Sequence, residues 1–391
     1  MTSRAARAPN AALLGVFWFG IQAVWTALLG VVLQERATVL AREPVALFST
    51  LVAAGACLAS VVQIAAGVLS DRLRARTGDR RAFYAGGVAL AIPAVAVLPF
   101  AGSLGVLWAA TALLQLGMNL AGGPYQGIVG DYVAPERIGR ASSWMSVYQF
   151  LGSLTGAILT ALLRGPALGA ALAFALAASW LVTDRAAAAG RGTGADRAPL
   201  RIDANVRTVL VSRALINVGF YTLFYYLFFF VHDALRVADA HAVTAYLFLT
   251  FTAAGVFGAA LAGRASDRYD KRAVVTVACA AIAIAVGTFA VAPNAGVAFV
   301  CAAGSGFAWG AFFTADWAIA YAVLPRGALA SAMGVWNLAA TLPQIAAPAL
   351  TGLVIARIAP HGGLGPRLAL ALVVVEFVLG TAWLWRLRLA R

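Results

Sequence analysis

Gly67-Val-Leu-Ser70-Asp71-Arg72 recurs with its spacing intact as Gly263-Arg-Ala-Ser266-Asp267-Arg268. Each copy closes a long apolar run, and the two lie about half the chain apart. A second pair has nearly the same offset: Ser143-Trp-Met145-Ser-Val147-Tyr148-Gln149 against Ser331-Ala-Met333-Gly-Val335-Trp336-Asn337. Two matches in register describe a chain made of two related halves.

Outward from these strings, apolar runs recur from one end of the sequence to the other. A run of about 20 residues crosses the roughly 30 Å of bilayer hydrocarbon as a helix. Backbone polar groups meet no water there, so the runs must be helical. Apolar residues make up 62% of the 391 and charged residues 11%, where a soluble chain carries about a quarter charged. The mean hydropathy is +0.86. Twelve spans are read near 11–33, 45–68, 83–101, 104–133, 141–163, 165–184, 208–231, 241–262, 273–293, 295–324, 328–356 and 366–387. No small-residue cleavage site follows a short apolar core, so 11–33 reads as a first span and not a signal peptide. The predicted fold is an all-α integral membrane protein with twelve transmembrane helices in two pseudo-symmetric halves. These are an N-terminal half 1–184, a cytoplasmic linker 185–207 and a C-terminal half 208–391.

The net charge of +14 does not require a nucleic-acid partner. With the N-terminus inside, the cytoplasmic segments hold all Lys and Arg except Arg36, Arg42, Arg164, Arg236, Arg357 and Arg367. That bias is the positive-inside rule, and it predicts a multi-pass inner-membrane protein with both termini cytoplasmic. Cys57, Cys279 and Cys301 lie within spans and pair by spacing with no other Cys or His. They read as small apolar filler. His232, His241 and His361 do not cluster as ligands. No metal and no cofactor is expected, and no nucleophile–base pair or phosphate-binding G-x-x-x-x-G-K-S/T loop argues for an enzyme or an ATP-driven pump.

The string Gly67 to Arg76 resembles the signature loop of the major facilitator superfamily, and its echo after span eight is typical of that family. The resemblance covers the whole chain in span number, linker position and repeat. Several further strings resemble the glycoside–pentoside–hexuronide and sucrose–proton symporter branch. They are Gly20-Ile-Gln22-Ala-Val-Trp25, the run Asp71 to Arg81, and Gly123-Pro124-Tyr125-Gln126 followed by Asp131 and Pro135-Glu136. The chain departs from that branch at Asp79, where Arg is usual, and at Gln115, where plant sucrose carriers have an Asp used in proton coupling. The resemblance implies a secondary transporter with its solute site near the bilayer midplane.

Polar side chains within spans are costly, so the faces they occupy are informative. Span five carries Ser142, Ser146, Gln149, Ser153, Gly156 and Thr160 at helical steps of three and four. Span eleven repeats this with Asn337, Thr341, Gln344 and Pro348, span four has Gln115, Asn119, Gly122 and Gln126, and span one has Gln22 and Trp25. Span seven adds Asn217, Tyr221 and Tyr225. Small and polar stripes can simply knit helices together. Amides offer donors and acceptors that match vicinal hydroxyls, and aromatic rings pack on the apolar face of a sugar. The expected solute contacts are therefore Gln22, Trp25, Asn119, Gln126, Gln149, Asn217, Tyr221, Tyr225, Asp316, Trp336, Asn337 and Gln344.

Asp316 lies nine residues before Pro325, roughly 13 Å of helix and so deep in the bilayer. It is expected to bind the coupling proton or a solute hydroxyl, with Asp131 as a further proton candidate. Near the cytoplasmic ends, Asp71, Arg72, Arg76, Arg80, Arg81, Asp131, Asp267 and Arg268 are expected to form gating contacts. Glu376, mid-way along span twelve, is expected to snorkel or to pair within the bundle. Span two offers only Ser49, Ser60 and Gln63, too few hard ligands for sodium. The function expected is proton-coupled, alternating-access transport of a neutral polar solute, a sugar or glycoside, by a monomer. The alternatives are a proton-driven exporter of amphipathic compounds and a membrane assembly or pigment-handling factor that moves no solute.

Overall fold

A segment in lipid must close its backbone hydrogen bonds within itself, and the described residues are helical almost throughout, with no strand among them. The structure, a computed structural model, describes residues 9–189, 199–358 and 364–388, without the side chains of residues 45, 345, 348, 349 and 356. Residues 190–198 of the linker, His361 and the Pro348 side chain fall outside the described residues.

The long helices are α1 (Ala11–Leu40), α2 (Pro44–Thr77), α3 (Arg81–Phe100), α4 (Leu104–Tyr132), α5 (Pro135–Leu162) and α6 (Gly165–Ala188). They continue as α7 (Ala204–Ala234), α8 (Ala240–Arg268), α9 (Lys271–Ala290), α10 (Ala295–Val323), α11 (Leu329–Ile358) and α12 (Leu364–Leu384). Eleven are long and apolar enough to cross a membrane, and α11, at 30 residues, completes the set of twelve. The helices begin where the sequence supplies caps. Ser103, Asp203 and Asp239 accept from the Val106, Val206 and Ala242 N–H groups respectively, each satisfying an orphan donor of the first turn. Gly78, at φ 76°, ends α2 in the left-handed conformation that glycine adopts without strain.

Two ends differ from the hydropathy reading. α2 stays helical to Thr77, and α7 starts at Ala204, so residues 69–77 are helix and not loop, and residues 204–207 belong to α7 and not to the linker. Helices project beyond the hydrocarbon, where polar side chains are solvated, so apolar patterning stops before the helix does.

Contacts divide the chain into two units. One runs to Arg201 and also takes Leu324–Val335; the other holds Ile202–Val323 and the chain from Trp336 on. In the first, α3 packs on α4 and α6, α2 on α4, and α1 on α5 and α6. In the second, α9 packs on α10 and α12, α8 on α10, and α7 on α12. Four pairings thus recur at equivalent positions. The repeat extends to a defect, since both α1 and α7 contain a π turn, Leu28–Val32 and Phe230–Ala234. Small residues allow the tightest contacts. Gly152 and Gly156 of α5 lie against the Phe19 and Ala23 carbonyls of α1, and Gly306 and Gly310 of α10 against those of Phe251 and Gly255 of α8. A side chain at any of these would collide with backbone.

Candidate functional site: a charged cluster and a buried ion pair

Because α2 is helical through Thr77, Asp71 and Arg74 fall on one face, while Arg72 and Arg76 fall on another. Arg80 follows the turn at Gly78 and is buried. Its Nη1 donates to Asp71 Oδ1 at 3.0 Å, and its Nε meets Asp131 Oδ2 at 2.8 Å. Arg74 Nε meets the other Asp131 oxygen at 3.1 Å. Burial of the Arg80 guanidinium disfavours its charge, but Asp131 and Asp71 outweigh that and hold it above the ordinary arginine range. Asp71 also accepts from the Ala330 N–H at 3.2 Å and from the Ser331 N–H and hydroxyl at 2.9 and 2.6 Å. These donors open α11, so a carboxylate caps the positive end of that helix. Gly67 leaves room for it, since a Cβ there would stand 2.6 Å from the Ala330 carbonyl oxygen.

Of the gating residues read from the sequence, Asp71, Arg80 and Asp131 come together here. Arg72 and Arg76 are exposed and stand outside the cluster. Arg81 pairs with Asp79 at 2.7 Å and reaches Asp184 at 3.6 Å. Asp267 is half-buried and Arg268 exposed. Arg74 was missed because the segment read as a loop, where helical spacing has no force.

In the first unit the amide stripe is partly committed to its own helices. Asn119 donates to the Gln115 carbonyl at 2.8 Å and Gln149 to the Met145 carbonyl at 3.3 Å. Gln22 of α1 reaches Ser153 of α5 at 3.5 Å. Trp25 is half-buried and Gln126 buried. Ser153, which Gln22 reaches, and Gly156, set against Ala23, knit α5 to α1, while Ser146 donates to the Ser142 carbonyl of its own helix.

The second unit holds a buried charge pair. Asp316 of α10 is 4% exposed and is ion-paired with Arg213 of α7, itself 5% exposed. The Arg213 guanidinium carbon also lies 4.4 Å from the centre of the Trp336 ring, a cation–π contact. Asn217 donates back to the Arg213 carbonyl at 2.8 Å. One turn on, Tyr221 stacks with Tyr225 at 6.2 Å, and Gln344 of α11 hydrogen-bonds the Tyr225 hydroxyl. Asn337 is half-buried, one residue past Trp336. Thus Asp316, Trp336 and Asn217 gather around Arg213, and Tyr221, Tyr225 and Gln344 form a neighbouring group. Arg213 escaped sequence reading because it was counted with the cytoplasmic cations. Its signal was its place inside the run Val206 to Phe220, where a cation needs a partner.

The sequence model of the Major Facilitator Superfamily matches residues 8–348. The chain belongs to the major facilitator superfamily. It is therefore a multi-pass membrane transporter and not an enzyme. Solved structures agree on the facilitator fold. The human organic anion transporter MFSD10 (TETRAN) superposes with a TM-score of 0.72 at 15% identity, over 96% of this chain and 98% of that one. A bacterial homologue of the iron transporter ferroportin, in an outward-facing state, gives 0.74 at 15% identity over 97% and 99%. At such identity the likeness concerns the fold alone. No curated protein matches this facilitator in sequence.

Proposed function

We propose that this facilitator moves a small neutral polar solute, a sugar or glycoside, by proton-coupled alternating access. The observation that carries the reading is the polar core of the second unit, with Arg213 paired to Asp316 and set against Trp336. A guanidinium donates to vicinal hydroxyls, a carboxylate accepts from them, and an indole face packs on the apolar side of a sugar ring. Tyr221, Tyr225 and Gln344 add rings and an amide of the same chemistry. The pair is neutral as a whole, which makes it tolerable at membrane depth and leaves its donors and acceptors for a neutral solute.

The cluster of Asp71, Arg74, Arg80 and Asp131 serves as the gate, since it fixes the start of α11 to α2 and must release before that helix start can move. The distribution of Lys and Arg supports an inner-membrane protein with both termini cytoplasmic, and one chain supplies every group the reading uses. Uptake of a mono- and disaccharide panel into proteoliposomes under an acid-outside gradient tests it. At least one sugar should accumulate, and Asp316→Asn should reduce that uptake by at least about tenfold, the worth of a hydrogen bond to a charged group. A folded protein that neither binds nor accumulates any of the panel refutes the sugar reading.

A further inference from the structure

Glu376 lies near the middle of the 21-residue α12, about 18 Å of helix from its start. It is set against α7, where its Cβ is 3.4 Å from the place a Cβ would occupy on Gly219. The Thr222 side chain hydrogen-bonds the carboxyl group. Its Oε2 is sealed from the surroundings and has no hydrogen-bond partner among the described residues. Thr222 in turn stands 3.1 Å, hydroxyl to hydroxyl, from Thr351 of α11, and both threonines are buried. Three helices of one unit thus supply a carboxyl group followed by two hydroxyls.

A carboxylate at that depth costs from about 3 to more than 10 kcal/mol unless something neutralises it. Asp316 has Arg213 for that purpose; Glu376 has no cation within salt-bridge distance among the described residues. The charged and titratable groups on the surrounding elements are committed elsewhere. On α7, Arg213 holds Asp316, Tyr221 stacks on Tyr225, and the Tyr226 hydroxyl points to Gly352 of α11. At the end of α7, His232 pairs with Asp233 at 2.6 Å. On α9, Cys279 is buried, and Arg272 binds Asp270 and the Leu387 carbonyl. On α12 itself, Arg367 donates to the Ala290 and Ala292 carbonyls, and Arg386 lies over Trp383. Arg357, near the end of α11, is exposed.

We propose that Glu376 is a proton-binding site within the membrane bundle and the carboxyl group that takes the coupling proton, exchanged along Thr222 and Thr351. The assignment rests on the proton-coupled reading above and names its residue. Binding converts the carboxylate to a carboxylic acid and changes no other bond. A threonine hydroxyl suits such a site because it donates to the ionised form and accepts from the protonated one. Asp316, already neutralised by Arg213, is left to the solute.

Infrared difference spectroscopy of the purified full chain during a pH titration tests the site without a solute. The wild type should show a protonated-carboxyl carbonyl band that disappears as pH rises. Glu376→Gln should lose the band, Glu376→Asp should restore one, and Asp316→Asn should keep it. Thr222→Val should move its midpoint by about one pH unit, the worth of one hydrogen bond. A wild type without the band, or a Glu376→Gln chain that retains it, overturns the proposal. A titrating Glu376 band in a carrier whose uptake ignores the pH gradient would uphold the site and strike down the coupling reading instead.

Discussion

Asp71 and Ser331 are 260 residues apart in sequence, yet the Asp71 carboxylate takes both the N–H and the hydroxyl of Ser331, at 2.9 and 2.6 Å. Asp71 belongs to the first pair of repeated strings and Ser331 to the second, and both lie in the first of the two units. The Asp of the first string caps the helix opened by the second, and the same carboxylate is bound to Arg80 at 3.0 Å.

Removing that carboxylate leaves Arg80 with one acid and the start of α11 without its cap. Asp71→Ala should destabilise the protein by about 3–5 kcal/mol, the range for breaking a buried charged network by deleting one partner. Denaturant unfolding in detergent measures it. A loss under about 1 kcal/mol would mean the cap is incidental.

Arg74 and Arg72 provide a test of helical phase. Arg74→Gln deletes a contact to the buried Asp131 and should lower stability measurably, whereas Arg72→Gln changes an exposed side chain and should stay within about 0.5 kcal/mol of wild type. Equal effects would place both arginines in the same environment and contradict the face assignment.

The membrane fold was legible in the sequence because the bilayer leaves few choices: twenty apolar residues without water become a helix, and two strings in register become two halves. The pairing of side chains was harder to read. Where a helix outlasts its apolar run, as α2 does to Thr77, hydropathy hides the periodicity that separates Arg74 from Arg72, and counting Arg213 with the cytoplasmic cations hides its place inside the apolar run of α7. The amide stripes were visible, but whether an amide faces a solute or its own helix depends on a rotamer. Asn119, Gln149 and Asn217 all donate to the carbonyl four residues back.

Arg213 and Asp316 should behave as one unit. Arg213→Met or Asp316→Leu alone strands a buried charge and should cost about 3–5 kcal/mol, while the double substitution should cost far less than the sum. A double-mutant cycle on unfolding free energy gives the coupling directly. Additive losses would show that the two charges do not depend on each other.

Gly156 should resist enlargement. Gly156→Leu drives a side chain into the Ala23 carbonyl of α1 and should destabilise the α1–α5 contact by about 1–3 kcal/mol, seen as a lower Tm. The neighbouring Ile158, half exposed, should accept Leu with little change.

Acid-gradient uptake of radiolabelled sugars in proteoliposomes of wild type and Asp316→Asn decides whether Asp316 with Arg213 handles a neutral polar solute in a proton-driven carrier. The wild type should accumulate sugar only under the gradient, and the variant should lose at least about tenfold of that uptake. Accumulation by Asp316→Asn at the wild-type rate would contradict that role.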